Sequence, residues 1–482
     1  MIADPSYKLF QSKRIQHWNH VANKFPQGSA IGKKYHNRMD EIYKFFIPEG
    51  LKVIEFGSGY GSLLYKLKPC VGVGVDFSSE MIKISNTRFP NLSFIQDDVM
   101  TFSTQERFDV IILSDLINDL FDVQKVLENA RRICKPNGKI FINFFNNFWG
   151  KPLEVARSLK FATPLLEQNW LAPDDVKNML YLSEWEVIRK WTDCLFPFKF
   201  PIIEPFLNKF LAKLWPAKHF CLTNFIVARP KPFKKTYEKN EPSEPSVSII
   251  IPARNEAGNI PRFFNESLRF GSKTEIIIVE GHSSDNTFET AKAEIEKRSD
   301  WSARLFQQTG KGKADAVRLG FEKANGDVLM ILDADLTVAP EELKRFYEAL
   351  VSGHGEFING VRLVYPMEGK AMRFFNLLGN KFFSLAFSWI LDQPIKDTLC
   401  GTKVLYKKDY EKICTNRDYF GDFDPFGDFD LIFGASKLGL KIVDIPVRYK
   451  DRTYGDTNIQ RWKHGFLLLR MVIFAARRIK FI

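Results

Sequence analysis

The sequence predicts an α/β protein of two domains, each built around a sheet of parallel strands. Short apolar runs alternate with helical stretches in both halves of the chain, as in parallel sheets with crossover helices. Residues 229–246, between the halves, are rich in proline and charge, which is typical of a linker. The chain has 482 residues, which is too long for one ordinary hydrophobic core.

The composition favours anionic partners and a membrane surface. The formal net charge is +12, which suits nucleotides, a phospholipid surface or nucleic acid, and a generally basic proteome explains it equally well. The 45 phenylalanines include several runs close to basic residues, as at a membrane interface. The N-terminal residues lack the apolar core of a secretory signal, and the chain has no uncharged apolar run of about 20 residues. We therefore expect a cytoplasmic protein, peripheral on the cytoplasmic face of the membrane.

The cysteines indicate neither a zinc site nor a disulfide framework. None of the 6 cysteines forms a C-x-x-C pair, and no histidine cluster accompanies them. A reducing compartment fits this pattern.

The first half carries a glycine-rich turn after its first predicted strand. The predicted strands span residues 51–56, 71–76, 92–96, 108–113 and 139–145. The first strand runs into Gly57-Ser-Gly59-Tyr-Gly61, where glycines let the backbone approach a ligand and adopt positive φ. The second strand ends at Asp76, where a ribose diol would lie, and Asp97 and Asp98 follow the third. This order predicts a pocket for a nucleoside cofactor.

These motifs resemble class I S-adenosylmethionine-dependent methyltransferases over residues 30–229, which implies a Rossmann-like fold. In that family the first acid and the glycines face the methionine and sulfonium. The acid after the second strand binds the ribose, and the acid after the third meets the adenine amine. The resemblance therefore assigns S-adenosylmethionine binding to these residues: Glu55, Gly57, Gly59, Gly61, Asp76 and Asp98, with Asp97 as a rival to Asp98.

The loop at residues 114–119, after the fourth predicted strand, also fits methyltransferases better than nicotinamide enzymes. It contains no base-flipping motif such as Asn-Pro-Pro-Tyr, so nucleic acid is not an expected partner. A sugar hydroxyl as methyl acceptor would need a general base, for which His36, Asp115 and Asp119 are candidates. Each is more readily explained as a solvated or capping residue. A non-catalytic, scaffolding first domain is therefore the alternative.

The second half places polar residues after four predicted strands, at 247–251, 275–280, 304–308 and 328–332. Pro252, Asn255 and Glu256 follow the first strand, and Glu280 ends the second. Lys311 and Lys313 lie near the start of a helix, where anions are favoured. Asp333 and Asp335 follow the fourth strand, and two such carboxylates can share one hard cation with phosphate oxygens.

This half resembles family-two glycosyltransferases of the GT-A fold over residues 247–460, nearest to the dolichyl-phosphate mannosyltransferase and polyprenyl-phosphate glycosyltransferase group. The resemblance implies a nucleotide sugar as donor and a lipid-linked or glycan acceptor. It assigns nucleotide-sugar binding to these residues: Pro252, Asn255, Glu256, Glu280, Lys311, Lys313, Asp333, Lys403 and Arg452. It also assigns Mg²⁺ or Mn²⁺ to Asp333 and Asp335.

Three positions depart from the family pattern. Glu280 stands where the family commonly has Asp, and Lys403 stands where it has Arg, which replaces a fork by a point charge. Asn458 replaces a family lysine, so that phosphate binding there rests on Arg452 and Arg448.

The expected chemistry is inverting sugar transfer, with Asp335 among the catalytic residues. The metal and the lysines stabilise the leaving diphosphate while the acceptor attacks the opposite face. An alcohol acceptor needs a base, for which Asp430 aligns best and Asp428 second. A polyprenyl phosphate is already anionic, and Asp430 would then position it.

The C-terminal residues predict an interfacial helix. Lys463, Arg470 and Arg477 recur every seven residues, so they fall along one side of a helix whose other side is apolar. The aromatic stretch 373–391 could lie beside it, and a core or dimer helix is the alternative. The predicted organisation is a first domain at 1–229, a linker at 230–246, a second domain at 247–460 and a basic amphipathic helix at 461–482. We interpret the chain as a bifunctional enzyme.

Overall fold

The computed structural model describes residues 5–24, 30–158, 166–196, 203–232, 244–362, 364, 374–419, 429–450, 452, 454 and 461–482. The chain divides into two compact units, Met1–Lys231 with Phe481–Ile482, and Pro232–Lys480. Each unit holds one sheet, and each sheet has 7 strands among the described residues. Most of the predicted linker lies outside the described residues.

The first unit is an α/β layer structure. Its strands are β1 Lys52–Phe56, β2 Val71–Asp76, β3 Ser93–Gln96, β4 Phe108–Ser114, β5 Cys134–Phe145, β6 Trp185–Asp193 and β7 Thr223–Pro230. Its helices are α1 Pro5–Lys24, α2 Ala30–Phe46, α3 Ser62–Lys66, α4 Ser79–Arg88, α5 Val123–Ile133, α6 Gly150–Ser158, α7 Pro173–Leu182 and α8 Ile203–Lys209.

The first sheet has the strand order β3-β2-β1-β4-β5-β7-β6. The five strands predicted from the sequence are all parallel. The prediction missed β6 and β7, and β7 runs antiparallel to both of its neighbours. The end of β6 at Asp193 pairs with the start of β7 at Thr223, so the connection returns at one edge of the sheet and reverses the chain.

Apolar side chains cover both faces of this sheet. Ile54 and Phe56 of β1 pack into one buried cluster, and Val53, which precedes Ile54 and points to the other face, packs into another. Strands buried on both faces read as continuous apolar runs, which is why they were predictable. Burying each such side chain contributes about 1.5–3 kcal/mol.

The second unit has its own strands and helices. The strands are β8 Val247–Ala253, β9 Thr274–Glu280, β10 Ser302–Gln307, β11 Val328–Ile331, β12 Phe357–Val361, β13 Lys403–Tyr406 and β14 Ile442–Pro446. The helices are α9 Thr287–Lys297, α10 Lys313–Lys323, α11 Leu343–Val351, α12 Phe374–Leu391, α13 Lys407–Thr415, α14 Phe429–Lys437 and α15 Arg461–Ala475, followed by a π-helical turn, Ala476–Lys480.

The second sheet has the order β10-β9-β8-β11-β13-β12-β14. Strands β8 to β11 are parallel, whereas β13 runs antiparallel to β11 and β12. The carboxyl ends of β8, β9 and β11 meet at one edge, where the strand order reverses beside β8. Ligands bind at such a point in open α/β sheets. Within the described residues, no helix is long and apolar enough to cross a bilayer.

Candidate active sites

The backbone of the glycine turn in the first unit favours glycine at all three glycine positions. The φ angles of Gly57, Gly59 and Gly61 are 68°, 50° and 72°, in the left-handed region. Gly57 N–H donates to the carbonyl of Val75 at 2.8 Å, which ties the turn to β2. A Cβ on Gly57 would lie 2.7 Å from Leu116 Cδ1. The turn is therefore packed closely against β2 and the residues after β4.

Asp76 is bound to the glycine turn through backbone groups. Gly59 N–H donates to Oδ2 at 2.9 Å, and Ser78 N–H donates to Oδ1 at 2.8 Å. Burial raises the pKa of Asp76, and these two N–H groups offset part of the rise. Each oxygen keeps a second lone pair, so that the carboxylate can also accept hydrogen bonds from ribose hydroxyls.

Glu55 precedes the turn and is buried, with 4% of its surface exposed. Its Oε2 has no hydrogen-bond partner among the described residues. Burial raises the pKa of Glu55 well above its ordinary value, and the charge of Asp40 adds to the rise. An unpaired buried carboxylate oxygen fits a cationic group, such as the amine of S-adenosylmethionine. With Asp76, it makes the pocket suitable for that cofactor.

The two rival acids after β3 differ in their surroundings. Asp98 accepts hydrogen bonds from Gln11 Nε2 at 2.5 Å, from the Tyr7 hydroxyl, and from Met100 N–H at 2.9 Å. Asp97 is exposed. Asp98 thus connects α1 to the end of β3, a contact that the sequence did not indicate.

The turn after β8 in the second unit is bound to the loop after β9. Asn255, at φ 57°, donates its backbone N–H to Ser283 Oγ at 2.9 Å. Glu256 is buried and accepts a hydrogen bond from Asn259 Nδ2 at 2.7 Å. Burial raises the pKa of Glu256, although Asn259 and Arg452 act against the rise. Pro252 precedes this turn, within β8.

Glu280 lies at the end of β9, beside that turn. It accepts hydrogen bonds from Ser283 N–H at 2.5 Å and from Gln307 Nε2 at 3.0 Å. Burial acts to raise the pKa of Glu280, but these hydrogen bonds outweigh it and the pKa is lowered. The carboxylate is therefore ionised and oriented at the strand end.

Each carboxylate of the Asp333-Ala-Asp335 motif is paired with a cation. Lys313 Nζ lies 2.5 Å from Asp333 Oδ1, and Arg452 Nη2 lies 2.8 Å from Asp335 Oδ2. Burial opposes ionisation of Asp333, but the charges of Lys313, Lys403 and Arg362 prevail and lower its pKa. The structure thus brings together the predicted residues of β11, the start of α10 and the segment after β14.

The side chains around Asp333 and Asp335 decide whether a divalent cation could bind there. The described residues contain no group of three or more His, Cys, Asp or Glu side chains suited to a metal. Mg²⁺ is often held by only one or two carboxylates together with substrate phosphates, and Asp333 and Asp335 fit that arrangement. Lys313 and Arg452 would then turn from the carboxylates to the phosphates.

The remaining two predicted lysines differ in burial. Lys403 is fully buried, and its ammonium donates to the carbonyl of Cys400. Lys311 is exposed, two residues before Lys313. Lys403 therefore acts on Asp333 through its charge, and Lys311 is accessible to solvent.

The predicted acceptor-side acid is held by two arginines that sequence reasoning missed. Asp430, in the first turn of α14, is buried, and its Oδ2 lies 3.1 Å from Arg318 Nη2 and 3.4 Å from Arg417 Nε. Its rival Asp428 lies outside the described residues. Another missed pair joins Arg362 Nε to Asp397 Oδ2 at 2.8 Å. None of these arginines belongs to a recognised motif, so no sequence signal pointed to them.

The two sites define a class of protein. It is an α/β enzyme in which one domain is of the type that binds a nucleoside cofactor and the other is of the type that binds a nucleotide sugar. Two family models match the chain. Residues 47–180 match the methyltransferase domain, and residues 248–413 match glycosyl transferase family 2. The chain therefore contains a methyltransferase domain and a family 2 glycosyltransferase domain, and both predicted resemblances are confirmed.

Two curated relatives are transferases named for lipid phosphates. Dolichol-phosphate mannosyltransferase of Pyrococcus furiosus is 29% identical over 221 residues, which are 44% of this chain and 59% of that protein. Undecaprenyl-phosphate 4-deoxy-4-formamido-L-arabinose transferase of Pseudomonas aeruginosa is 31% identical over 112 residues, 22% of this chain and 33% of that protein. The chain thus spans less than two thirds of the length of either relative.

Among solved structures, similarity extends to an S-adenosylmethionine-dependent methyltransferase of Thermotoga maritima, described as a possible histamine N-methyltransferase. It is 16% identical, with a TM-score of 0.37, over 45% of this chain and 99% of that one.

Proposed function

We propose that the protein is a bifunctional transferase. The second unit transfers a sugar, with inversion, from a nucleotide sugar to a polyprenyl-phosphate-like or glycan acceptor, and the first unit transfers a methyl group from S-adenosylmethionine. The observation that carries the proposal is the pairing of Asp333 with Lys313 and of Asp335 with Arg452, at the edge where β8, β9 and β11 end. The names of the relatives support a lipid-phosphate acceptor.

On the donor side, the turn around Asn255 and the acid Glu280 bind the nucleoside. Lys313 and Arg452 stabilise the negative charge that grows on the leaving diphosphate, which is the larger part of such catalysis. A divalent cation held by Asp333 and Asp335 would supply further charge neutralisation at the diphosphate.

On the acceptor side, Asp430 lies between Arg318 and Arg417. Arginine side chains suit a phosphate group because their forked donors match its oxygens. A polyprenyl phosphate is a nucleophile without deprotonation, so Asp430 positions the arginines and the acceptor. A glycan hydroxyl would instead require Asp430 as a base.

The first unit binds S-adenosylmethionine through Glu55, the glycine turn and Asp76. The alternative function is a first unit that binds the cofactor or a partner without chemistry. Calorimetric titration of the full chain with S-adenosylhomocysteine tests whether the first unit binds the cofactor. The absence of heat and of a thermal shift would favour a scaffold.

We further propose that α12 and α15 lie on the membrane surface. The two helices pack against each other within the second unit. They expose large apolar side chains: Phe382, Leu385, Phe466, Leu469 and Ile473. Exposed cations adjoin them, among them Lys381, Arg470 and Arg477. An apolar face bordered by cations is suited to an anionic lipid surface.

The site assignment is tested by calorimetric titration of the full chain with GDP and UDP, with and without Mn²⁺. We expect Mn²⁺ to tighten binding of one nucleotide by about tenfold or more, and Asp335→Ala to remove that gain. Asp327→Asn is the matched control, because Asp327 precedes the same strand at its opposite end and accepts a hydrogen bond from Ser246 N–H at 2.9 Å. A Mn²⁺ effect that persists in Asp335→Ala would refute the assignment.

A further inference from the structure

One carboxylate of the first unit has a buried oxygen that accepts no hydrogen bond. Asp115 follows β4 directly, and its φ of 53° lies in the left-handed region that non-glycine residues seldom adopt. Its Oδ1 accepts hydrogen bonds from the Tyr35 hydroxyl at 2.8 Å and Asn143 Nδ2 at 2.6 Å. Its Oδ2 is buried and has no partner in the part of the chain that the structure describes. The carboxylate is held by one oxygen, and the other still needs a hydrogen-bond donor, which a ligand could supply.

The groups that hold Asp115 are themselves fixed. Tyr35, Tyr43 and Asn143 are all buried. The Tyr43 hydroxyl donates to Asn143 Oδ1 at 2.7 Å, which directs the amide N–H₂ of Asn143 towards Asp115. Such a chain of buried donors orients the carboxylate before any ligand arrives.

Asp115 lies beside the cofactor pocket, opposite the ribose-binding acid. Strand β1 pairs with β2 on one side and with β4 on the other. Asp76 ends β2, whereas Asp115 follows β4, and the next residue, Leu116, packs against Gly57 of the glycine turn. A cofactor with its ribose at Asp76 therefore leaves the space above β4 and β5 for the methyl acceptor.

The two other acceptor-side candidates have different surroundings. Asp119 Oδ1 accepts from Arg14 Nε at 3.0 Å, and its Oδ2 accepts from Trp18 Nε1 at 2.8 Å, so both oxygens are engaged. His36 is exposed on α2. Of the three, Asp115 alone combines a fixed orientation with an unpaired buried oxygen.

The surroundings also favour Asp115 as a base. Burial raises its pKa, while His36, Tyr35 and Asn143 offset part of the rise. A carboxylate with a raised pKa has a greater driving force for taking a proton.

We propose that Asp115 is the catalytic base of methyl transfer and that the acceptor presents a hydroxyl or amine to its Oδ2. This rests on the methyl-transfer half of the proposed function. The acceptor gives its proton to Oδ2, and its lone pair forms the bond to the methyl carbon of S-adenosylmethionine. The bond from that carbon to sulfur breaks with its electron pair remaining on sulfur, which yields S-adenosylhomocysteine. Asp115 then releases the proton to solvent.

The test compares two ligands and needs no acceptor. S-adenosylhomocysteine lacks the methyl group, whereas sinefungin carries a primary amine, protonated at neutral pH, in place of the sulfonium methyl. A carboxylate that faces the transferred methyl group attracts this amine. In the full chain we expect Asp115→Asn to weaken sinefungin binding about tenfold or more, and S-adenosylhomocysteine binding less than about twofold, by calorimetric titration.

The substitution suits the backbone because Asn tolerates left-handed φ, and S-adenosylhomocysteine binding reports that the variant is folded. Asp174→Asn, an exposed carboxylate on α7, is the matched control and leaves both affinities unchanged. If the wild-type chain binds both ligands and their affinity ratio is the same in Asp115→Asn, the assignment of Asp115 is overturned. If the wild-type chain binds neither ligand, the proposed methyl transfer is overturned, and the role of Asp115 with it.

Discussion

The carboxylates at the carboxyl ends of the strands in the two sheets differ in the groups that bind them. Asp76 is bound by backbone N–H groups, whereas Asp333 and Asp335 are paired with cations. Glu55 and Asp115 each keep one buried oxygen without a hydrogen bond among the described residues. Asp333 and Asp335 would exchange their cation partners if a divalent cation bound there, whereas a buried oxygen without a hydrogen bond lowers the stability of the ligand-free protein.

Glu55→Gln should therefore stabilise the ligand-free chain at neutral pH. Burial is the main cause of the raised pKa of Glu55, and the charge of Asp40 adds to it. The N–H of Leu64 acts against the rise. Because the unfolded chain releases this proton at lower pH than the folded chain, stability falls as pH rises above the ordinary pKa of Glu. We expect a gain on the order of 1 kcal/mol at pH about 7 that vanishes near pH about 4, where both states are protonated.

Denaturant unfolding of the variant and the wild type at the two pH values measures this difference. S-adenosylhomocysteine should bind the variant more weakly, because the carboxylate that we propose faces its amine is lost. An equal gain in stability at both pH values would contradict the account.

At the scale of elements, the ends of the buried strands were predictable from the sequence. The contacts between helices and loops that are distant in the chain were not. Strand β2 matches its prediction because it is buried and ends at a motif acid, Asp76. In the second unit, strands β12, β13 and β14 were missed. The pairing of Asp430 with Arg318 joins residues 112 apart in the chain, and it depends on how α10 and α14 pack. A short motif specifies the end of a buried strand, whereas such long-range pairs are set by packing alone.

Helices α12 and α15 carry a prediction of their own. We expect the full chain to sediment with vesicles containing anionic phospholipid, and the bound fraction to fall with salt because exposed cations contribute. Phe466→Glu, at a side chain that is 65% exposed, should reduce binding strongly without lowering thermal stability.

Tyr181→Glu supplies the control, since Tyr181 is 64% exposed but lies in the first unit on α7. If Phe466→Glu and Tyr181→Glu reduced vesicle binding equally, that result would argue against a membrane-binding surface formed by α12 and α15.

At the scale of the whole molecule, one structural rule operates in both units. Each sheet places its polar motif residues at the carboxyl ends of parallel strands, where the strand order reverses. The glycine turn of β1 and the carboxylate pair after β11 are two instances of that rule, on sheets with separate cores. The sequence was sufficient to place both, because each motif directly follows a continuous apolar strand. The identity of the sugar and of the methyl acceptor depends on side chains outside these motifs.

The central claim, sugar transfer at the Asp333-Ala-Asp335 site, is tested most directly by a transfer assay. The full chain is incubated with a short-chain polyprenyl phosphate, Mn²⁺ and radiolabelled GDP-mannose, UDP-glucose or UDP-N-acetylglucosamine, and the label entering the organic phase is counted. The account predicts transfer from one of these donors, a loss of about 100-fold or more in Asp335→Ala, and unchanged binding of S-adenosylhomocysteine in that variant. Transfer by Asp335→Ala at the wild-type rate would contradict it.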